Sequence, residues 1–270
     1  MKKHPEHKNL LQFNIFDRYR QIEHFSSTRS GGVSKGEFRS LNLGNYSDDD
    51  PLKIYENRSI LAQKFYLESE DFVTPHQTHG SEIIVIDKEF IRLQNSEKVE
   101  KLYGIDASVT QEHGFFLCVT TADCVPILLF DKRKQIIAAI HAGWRGTANR
   151  IVEKTILKMQ DLYRSDARDI IAAIGPAIGV QHYEVGKLVE EEFQKNGYKL
   201  DAFVSFRNKS SKKLHIDLKE INQQELIRLG VPKLQIEKTR YCTYKNSRLF
   251  FSARRQSVHS GRMLTGIMLK

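Results

Sequence analysis

Two histidines and one cysteine stand where apolar runs meet turns: His79 ahead of SEIIVI, Cys124 ahead of VPILLFD, and His141 at the end of IIAAI. Two imidazoles and a thiolate form a three-ligand set suited to zinc, and a catalytic zinc keeps its fourth position open for water or substrate. A structural zinc clip would need four closed ligands, commonly in CxxC or HxxxH pairs, and the chain contains no CxxC. Each residue alone admits a plainer account. A cysteine beside an apolar run is commonly an inert core residue, and a histidine commonly a hydrogen-bonded structural one. Their company favours chemistry. The run Ile136 to Ile140 is apolar enough for a buried strand and stops at His141, where Ala142, Gly143 and Gly146 let the backbone turn closely.

A chain of 270 residues can bury the core such a site needs, in one large domain or two small ones. Its 40% hydrophobic and 28% charged content lie in the range of folded proteins rather than disordered ones. The longest apolar runs, such as Val125 to Phe130, are far too short to span a bilayer, and the start MKKHPEHKNL has no apolar signal segment, so no membrane partner is expected. Three cysteines without paired spacing suit a reducing interior, which points to a cytoplasmic protein. The net charge of +9 would attract nucleic acid or a small anion. Basic residues are scattered, as in Lys132 to Lys134, and no RNP or zinc-finger pattern appears, so nucleic acid is not expected and a phosphate-bearing substrate suits the charge.

The elements that must position the triplet alternate without linker or repeat. Leu11 to Phe16 and Ile22 to Phe25 read as early strands, and Asp50 with Pro51 as a helix start running through Ile54, Ile60, Leu61 and Phe65. Further strands are expected at Glu82 to Ile86, Phe115 to Thr120, Val125 to Phe130, Ile136 to Ile140 and Ile170 to Ile174. Helices are expected over Ile151 to Leu162 and Leu218 to Leu229. Leu249 to Ala253 and Met263 to Leu269 read as closing strands. Three strand candidates between Phe115 and Ile140 are separated by breaks too short for helical crossovers, which excludes a purely parallel sheet. The expectation is an α+β fold, with mixed sheet covered by helices in a single domain over residues 1–270.

The segments SLNLG from Ser40, HQTHG from His76, TADCVPILLFD from Thr121, HAGWRGT from His141, AIGPAIG from Ala173, and FFSARR with GRM near the end occur in order from Arg29 to Met263. Together they resemble the YfiH/YlmD family, also called the laccase-domain or multicopper polyphenol oxidoreductase family, whose fold the chain is then expected to share. The chain departs from the family pattern at Ala177, often cysteine, and at Ala253, where an aromatic residue is usual. The resemblance implies a zinc-dependent purine nucleoside phosphorylase with adenosine deaminase activity, taking adenosine, inosine or methylthioadenosine with phosphate to free base and ribose 1-phosphate. It implies one zinc per chain on His79, Cys124 and His141. Some members of the family are described as peptidoglycan editing factors.

Phosphorolysis needs an anion held against the anomeric carbon, and the fork of an arginine suits phosphate. Arg29, Arg145, Arg254 and Arg255 are the candidate substrate contacts, with Asn42 of SLNLG for ribose or base; Arg58 reads as a packing residue. Deamination needs water made acidic by the metal and a proton carrier. No HxE with PCxxC is present, so Asp123 and His76 are the candidates, Asp123 alternatively fixing the turn and His76 alternatively serving structure alone. Cys124 and His141 enter the catalytic set as well, because a metal-free reading makes them nucleophile and base of a thiol hydrolase. A basic binding module without turnover is a third class. Copper is not expected, since multicopper oxidation needs several sites and the motifs offer one.

Overall fold

In the computed structural model, which describes residues 1–207 and 213–270, the chain builds two six-stranded sheets and one small sheet. The first runs in the order Lys2–Lys3, Leu10–Gln12, Ile22–Ser27, Met263–Leu269, Phe116–Thr121, Phe72–Val73. The second runs Ile236–Lys238, Ile170–Ile174, Val125–Asp131, Ile136–Ala142, Ile105–Thr110, Glu82–Val85. Most pairs are antiparallel, while Phe72–Val73 with Phe116–Thr121, Glu82–Val85 with Ile105–Thr110, and Ile170–Ile174 with Ile236–Lys238 are parallel. The sheets are therefore mixed, as the short connections required.

Period-two alternation decides how the layers stack. Leu117 and Val119 turn inward to meet Leu128, Phe130, Ile137 and Ile171 between the two sheets. Phe116 and Cys118, on the other face, pack with Phe25, Leu41, Leu43 and Leu61. Ile127, Leu129, Ala138 and Ile140 face the opposite way from the inter-sheet layer, under helices Ile151–Tyr163 and Leu218–Arg228. The first of these helices buries Ile151, Val152, Thr155, Ile156 and Met159, the spacing of one helical stripe. Helix Pro51–Ala62 starts with proline in its first turn, capped by the Asp50 side chain accepting from the Leu52 N–H at 3.0 Å.

Two expectations are corrected. The strand expected over Leu11 to Phe16 ends at Gln12, and Asn14–Phe16 is a 3-10 turn. Phe13 and Phe16 are both buried, and their spacing of three puts them on one side of a 3-10 turn but on opposite sides of a strand. Leu249 to Ala253 is not a strand either. Phe250 and Phe251, adjacent in sequence, are both buried in one cluster with Leu11, Ala122 and Met263, which alternation would forbid. Ser252 then caps the short helix Ala253–Gln256. No helix among the described residues is long and apolar enough to cross a membrane.

The Phe116–Thr121 strand belongs to the first sheet and Val125–Asp131 to the second. Residues 122–124 carry the chain between them, with Asp123 in the left-handed region at φ 96°. The candidate site is built around this crossing.

Candidate metal centre

Sheet register brings the ligands together. Val125 pairs with Ala142 and Pro126 with His141, so Cys124 emerges beside Gly143 at the same end of the sheet as His141. The neighbouring strand pairs Ala107 with Ile140, and continuing that register sets Asp106 against His141. His79 comes from the loop ahead of strand Glu82–Val85, with its own backbone left-handed at φ 63°. One ligand atom each of His79, Cys124 and His141 lies within 4.8 Å of the others.

Asp106 organises this group from behind. Fully buried, its carboxylate accepts from the His79 N–H at 3.1 Å and the Gly80 N–H at 2.6 Å, and lies 2.7 Å from His141 Nδ1. With Nδ1 engaged, His141 is left Nε2 for a metal, the arrangement that raises the basicity of ligating histidines. Gln77 fixes the other half of the His79 loop: its side chain bonds Thr120 N at 2.8 Å and Thr120 O at 2.8 Å, as a neighbouring strand would.

The electrostatics favour an ionised sulfur. Burial opposes the Cys124 thiolate, but the charge and hydrogen bonds of His141 and His79 outweigh it and bring the thiol down to about 6. Burial likewise opposes the His141 cation, yet Cys124 and Asp106 raise it to about 9. Space is reserved too. A Cβ on Gly143 would come within 3.2 Å of both Cys124 Sγ and His79 Cδ2, and one on Gly146 within 2.8 Å of the Gly80 carbonyl. A borderline donor set, an oriented imidazole and an adjacent glycine fit a metal ion such as zinc.

The triplet opens on a cavity of about 300 Å³ that is also lined by Gly44, Tyr46, His76, Gln77, Ala253 and Arg262. His76 stacks on Tyr46 with centroids 3.8 Å apart, and its ring nitrogens have no hydrogen-bond partner among the described residues. Of the residues singled out by sequence, His76, His79, Cys124 and His141 are thus brought together. Asp123 is not on the cavity wall: its carboxylate accepts from Thr243 Oγ1 at 2.5 Å, Ser252 Oγ at 3.0 Å and the Arg254 N–H at 2.7 Å. That is the turn-fixing arrangement, tying three loops together. Asn42 is fully buried, giving its amide to Ser47 and Asp49 and accepting from the N–H groups of Gly44 and Arg262. It shapes the loops that carry Gly44 and Arg262.

The sequence-chosen arginines lie elsewhere. Arg29 donates to the carbonyls of Arg39 and Ser247 and covers the Phe251 ring at 4.5 Å. Arg145 is exposed over Trp144. Arg254 reaches the Glu184 carbonyl at 2.9 Å, and Arg255 the Tyr244 carbonyl at 3.2 Å. The arginine on the cavity wall is Arg262, which sequence reasoning left as part of the GRM motif. Burial lowers its pKa, against the opposing pull of Cys124, Asp123 and Asp48. Asp106 was also missed. Its signal was a lone carboxylate opening the small-residue strand DASV, a position with no business being charged unless it has partners.

A family model described as multi-copper polyphenol oxidoreductase laccase matches residues 23–270. The chain is 42% identical over 262 residues to a purine nucleoside phosphorylase of Bacteroides thetaiotaomicron, covering 97% of each. It is 39% identical over 251 residues to adenosine deaminase RL5 of an unknown prokaryotic organism, covering 92% of this chain and 94% of that one. Among solved structures, YlmD of Geobacillus stearothermophilus superposes with a TM-score of 0.89 at 32% identity, over 99% of this chain and 98% of that one. YfiH of Bacillus licheniformis does so with a TM-score of 0.85 at 31% identity, over 94% and 95%.

Proposed function

The chain belongs to the multi-copper polyphenol oxidoreductase laccase family, alongside YfiH and YlmD, and from that premise we propose that it is a zinc-dependent enzyme of purine nucleoside metabolism. The reaction is phosphorolysis of adenosine, inosine or methylthioadenosine to free base and ribose 1-phosphate, with adenosine deamination as a second activity. The observation that carries the reading is the convergence of His79, Cys124 and His141, backed by Asp106, on one cavity. Relatives named purine nucleoside phosphorylase and adenosine deaminase support the substrate class.

One zinc ion per chain, held by those three side chains, would supply Lewis-acid polarisation with a coordination position left for water or substrate. The family name speaks of several coppers, but the described residues hold one three-ligand cluster, and multicopper oxidation needs more than that. In phosphorolysis a phosphate oxygen forms a bond to the anomeric carbon while the glycosidic bond breaks, its electron pair leaving with the base. His76, on the cavity wall with no ring-nitrogen partner among the described residues, gives a proton to that base. Arg262, its guanidinium fixed on the Gly261 and Val258 carbonyls, sets a positive charge beside the anion, and Tyr46 offers a ring face to the purine. Asp106 keeps His141 in the ligating tautomer.

A second reading has its own support: the Cys124 thiolate beside the His141 imidazolium is also the pairing of a thiol hydrolase. Metal analysis with chelation separates the two. The zinc reading expects about one zinc per chain, a large loss in Cys124→Ala, and activity abolished by chelation and restored by zinc. Full activity in the chelated protein would sink it.

A further inference from the structure

A second cavity of about 300 Å³ adjoins the first and shares only Tyr46 with it. Its floor includes Arg58, carried by helix Pro51–Ala62 and only 8% exposed. The guanidinium touches neutral acceptors alone: the Leu43 carbonyl at 3.4 Å, the Phe72 carbonyl at 3.1 Å and Thr74 Oγ1 at 3.3 Å. Among the described residues no carboxylate lies within ion-pair distance of it. A buried cation without a counter-ion is costly, and proteins keep such groups where an anion completes them.

The rest of the wall points the same way. Arg58 Nε–H has no acceptor among the described residues, yet is not among the atoms sealed from solvent, so it opens on accessible space. Lys98, half-buried and also without an ion pair among the described residues, lines the same cavity, and Asn45, Ser69 and Asn95 add neutral donors. The exposed Glu70 carboxylate on the rim opposes these two cations, leaving a net positive wall. Phe72, Phe90 and Leu102 make the floor apolar, which strengthens each charge interaction there. Burial holds the Arg58 pKa below its ordinary value.

We propose that this cavity binds a phosphate-type oxyanion, inorganic phosphate or the phosphate of a phosphoester, held by Arg58 and Lys98 and divided from the metal cavity by Tyr46. The planar fork of arginine matches that geometry, and the cavity has room for the phosphate with part of a sugar. The site stands whether or not the metal cavity takes nucleosides.

The test is calorimetric titration of the full chain with inorganic phosphate and, separately, with ribose 5-phosphate, using ribose as the uncharged control. Saturable binding is expected that weakens about tenfold or more in Lys98→Ala and in Arg58→Lys, the loss typical of a charge-assisted contact. It should persist in Cys124→Ser, which removes a metal ligand, and in Arg262→Ala, which removes the cationic group of the metal cavity. Lys98 sits on a short surface helix, so that variant keeps the fold. Binding of inorganic phosphate marks a free-anion site, and binding of ribose 5-phosphate alone marks a phosphoester site. No binding of either probe, binding indifferent to Lys98→Ala, or binding lost with Cys124→Ser would overturn the proposal.

Discussion

Replacing Asp106 by asparagine removes one charge from a carboxylate with three N–H partners while keeping its shape. Those partners are His79 N at 3.1 Å, Gly80 N at 2.6 Å and His141 Nδ1 at 2.7 Å. An amide has one oxygen, so whichever way it turns, its NH₂ group faces at least one N–H that has lost its acceptor beside the buried Asp106 position. A buried donor left unpaired costs roughly 1–3 kcal/mol, so the metal-free protein should lose about 2 kcal/mol of stability. The ligand cluster should lose more than stability. With the His79 backbone loosened and His141 no longer held by Nδ1, zinc affinity should fall about 10–100-fold, the usual effect of removing a group that orients a ligand from behind. Competition with a chromogenic chelator at fixed pH measures the affinity, and urea unfolding in chelator measures the stability. An Asp106→Asn protein that binds zinc within twofold of the parent would refute the orienting role. Lost stability with intact affinity would reduce Asp106 to a loop anchor.

Gly143→Ala should weaken zinc binding more than tenfold while changing metal-free stability by less than about 1 kcal/mol, because metal–ligand distances tolerate only about 0.2 Å. The added Cβ would sit 3.2 Å from Cys124 Sγ and from His79 Cδ2, and the backbone, at φ −69°, accepts alanine. Chelator competition and urea unfolding together check it. For acid stability, burial lowers His24 from 6.5 to about 4, so the unfolded chain binds the proton first. The contribution is complete above pH 6.5 and lost as pH falls toward 4, a change of up to about 3 kcal/mol. Unfolding curves of His24→Gln should be flatter by that amount across this window, and parallel profiles would contradict it. Arg262→Lys should raise KM for phosphate about tenfold with zinc content unchanged, as steady-state kinetics and metal analysis can show; an amine cannot keep both the Gly261 and Val258 carbonyl contacts that fix the guanidinium charge at the cavity wall.

Much of the architecture is legible because alternation and capping are local. The strands Ile136–Ala142 and Ile170–Ile174 and the helices starting at Pro51 and Ile151 follow from runs of a few residues. The ligand triplet was legible for the same reason, each member lying within a few residues of where an apolar run meets a turn. The misread segments, Leu11 to Phe16 and Leu249 to Ala253, are those where aromatic pairs are buried by tertiary contacts in irregular backbone. The arginines were the harder case. Arginine is common beside turns whatever its task; Arg29 and Arg262 both donate to backbone carbonyls, and only the packing puts Arg262, and not Arg29, on the cavity wall. Asp106 shows in the sequence only as a lone carboxylate among small residues, and its role was hidden because its partners lie 26 to 35 positions away.

The most direct test of the account is product identification from adenosine, with and without phosphate, using zinc-loaded parent and His141→Ala proteins. The account predicts adenine and ribose 1-phosphate from the parent only when phosphate is present, inosine with or without phosphate, and neither activity in the variant. Full phosphorolysis by His141→Ala, or no adenine from the zinc-loaded parent in phosphate, would contradict it.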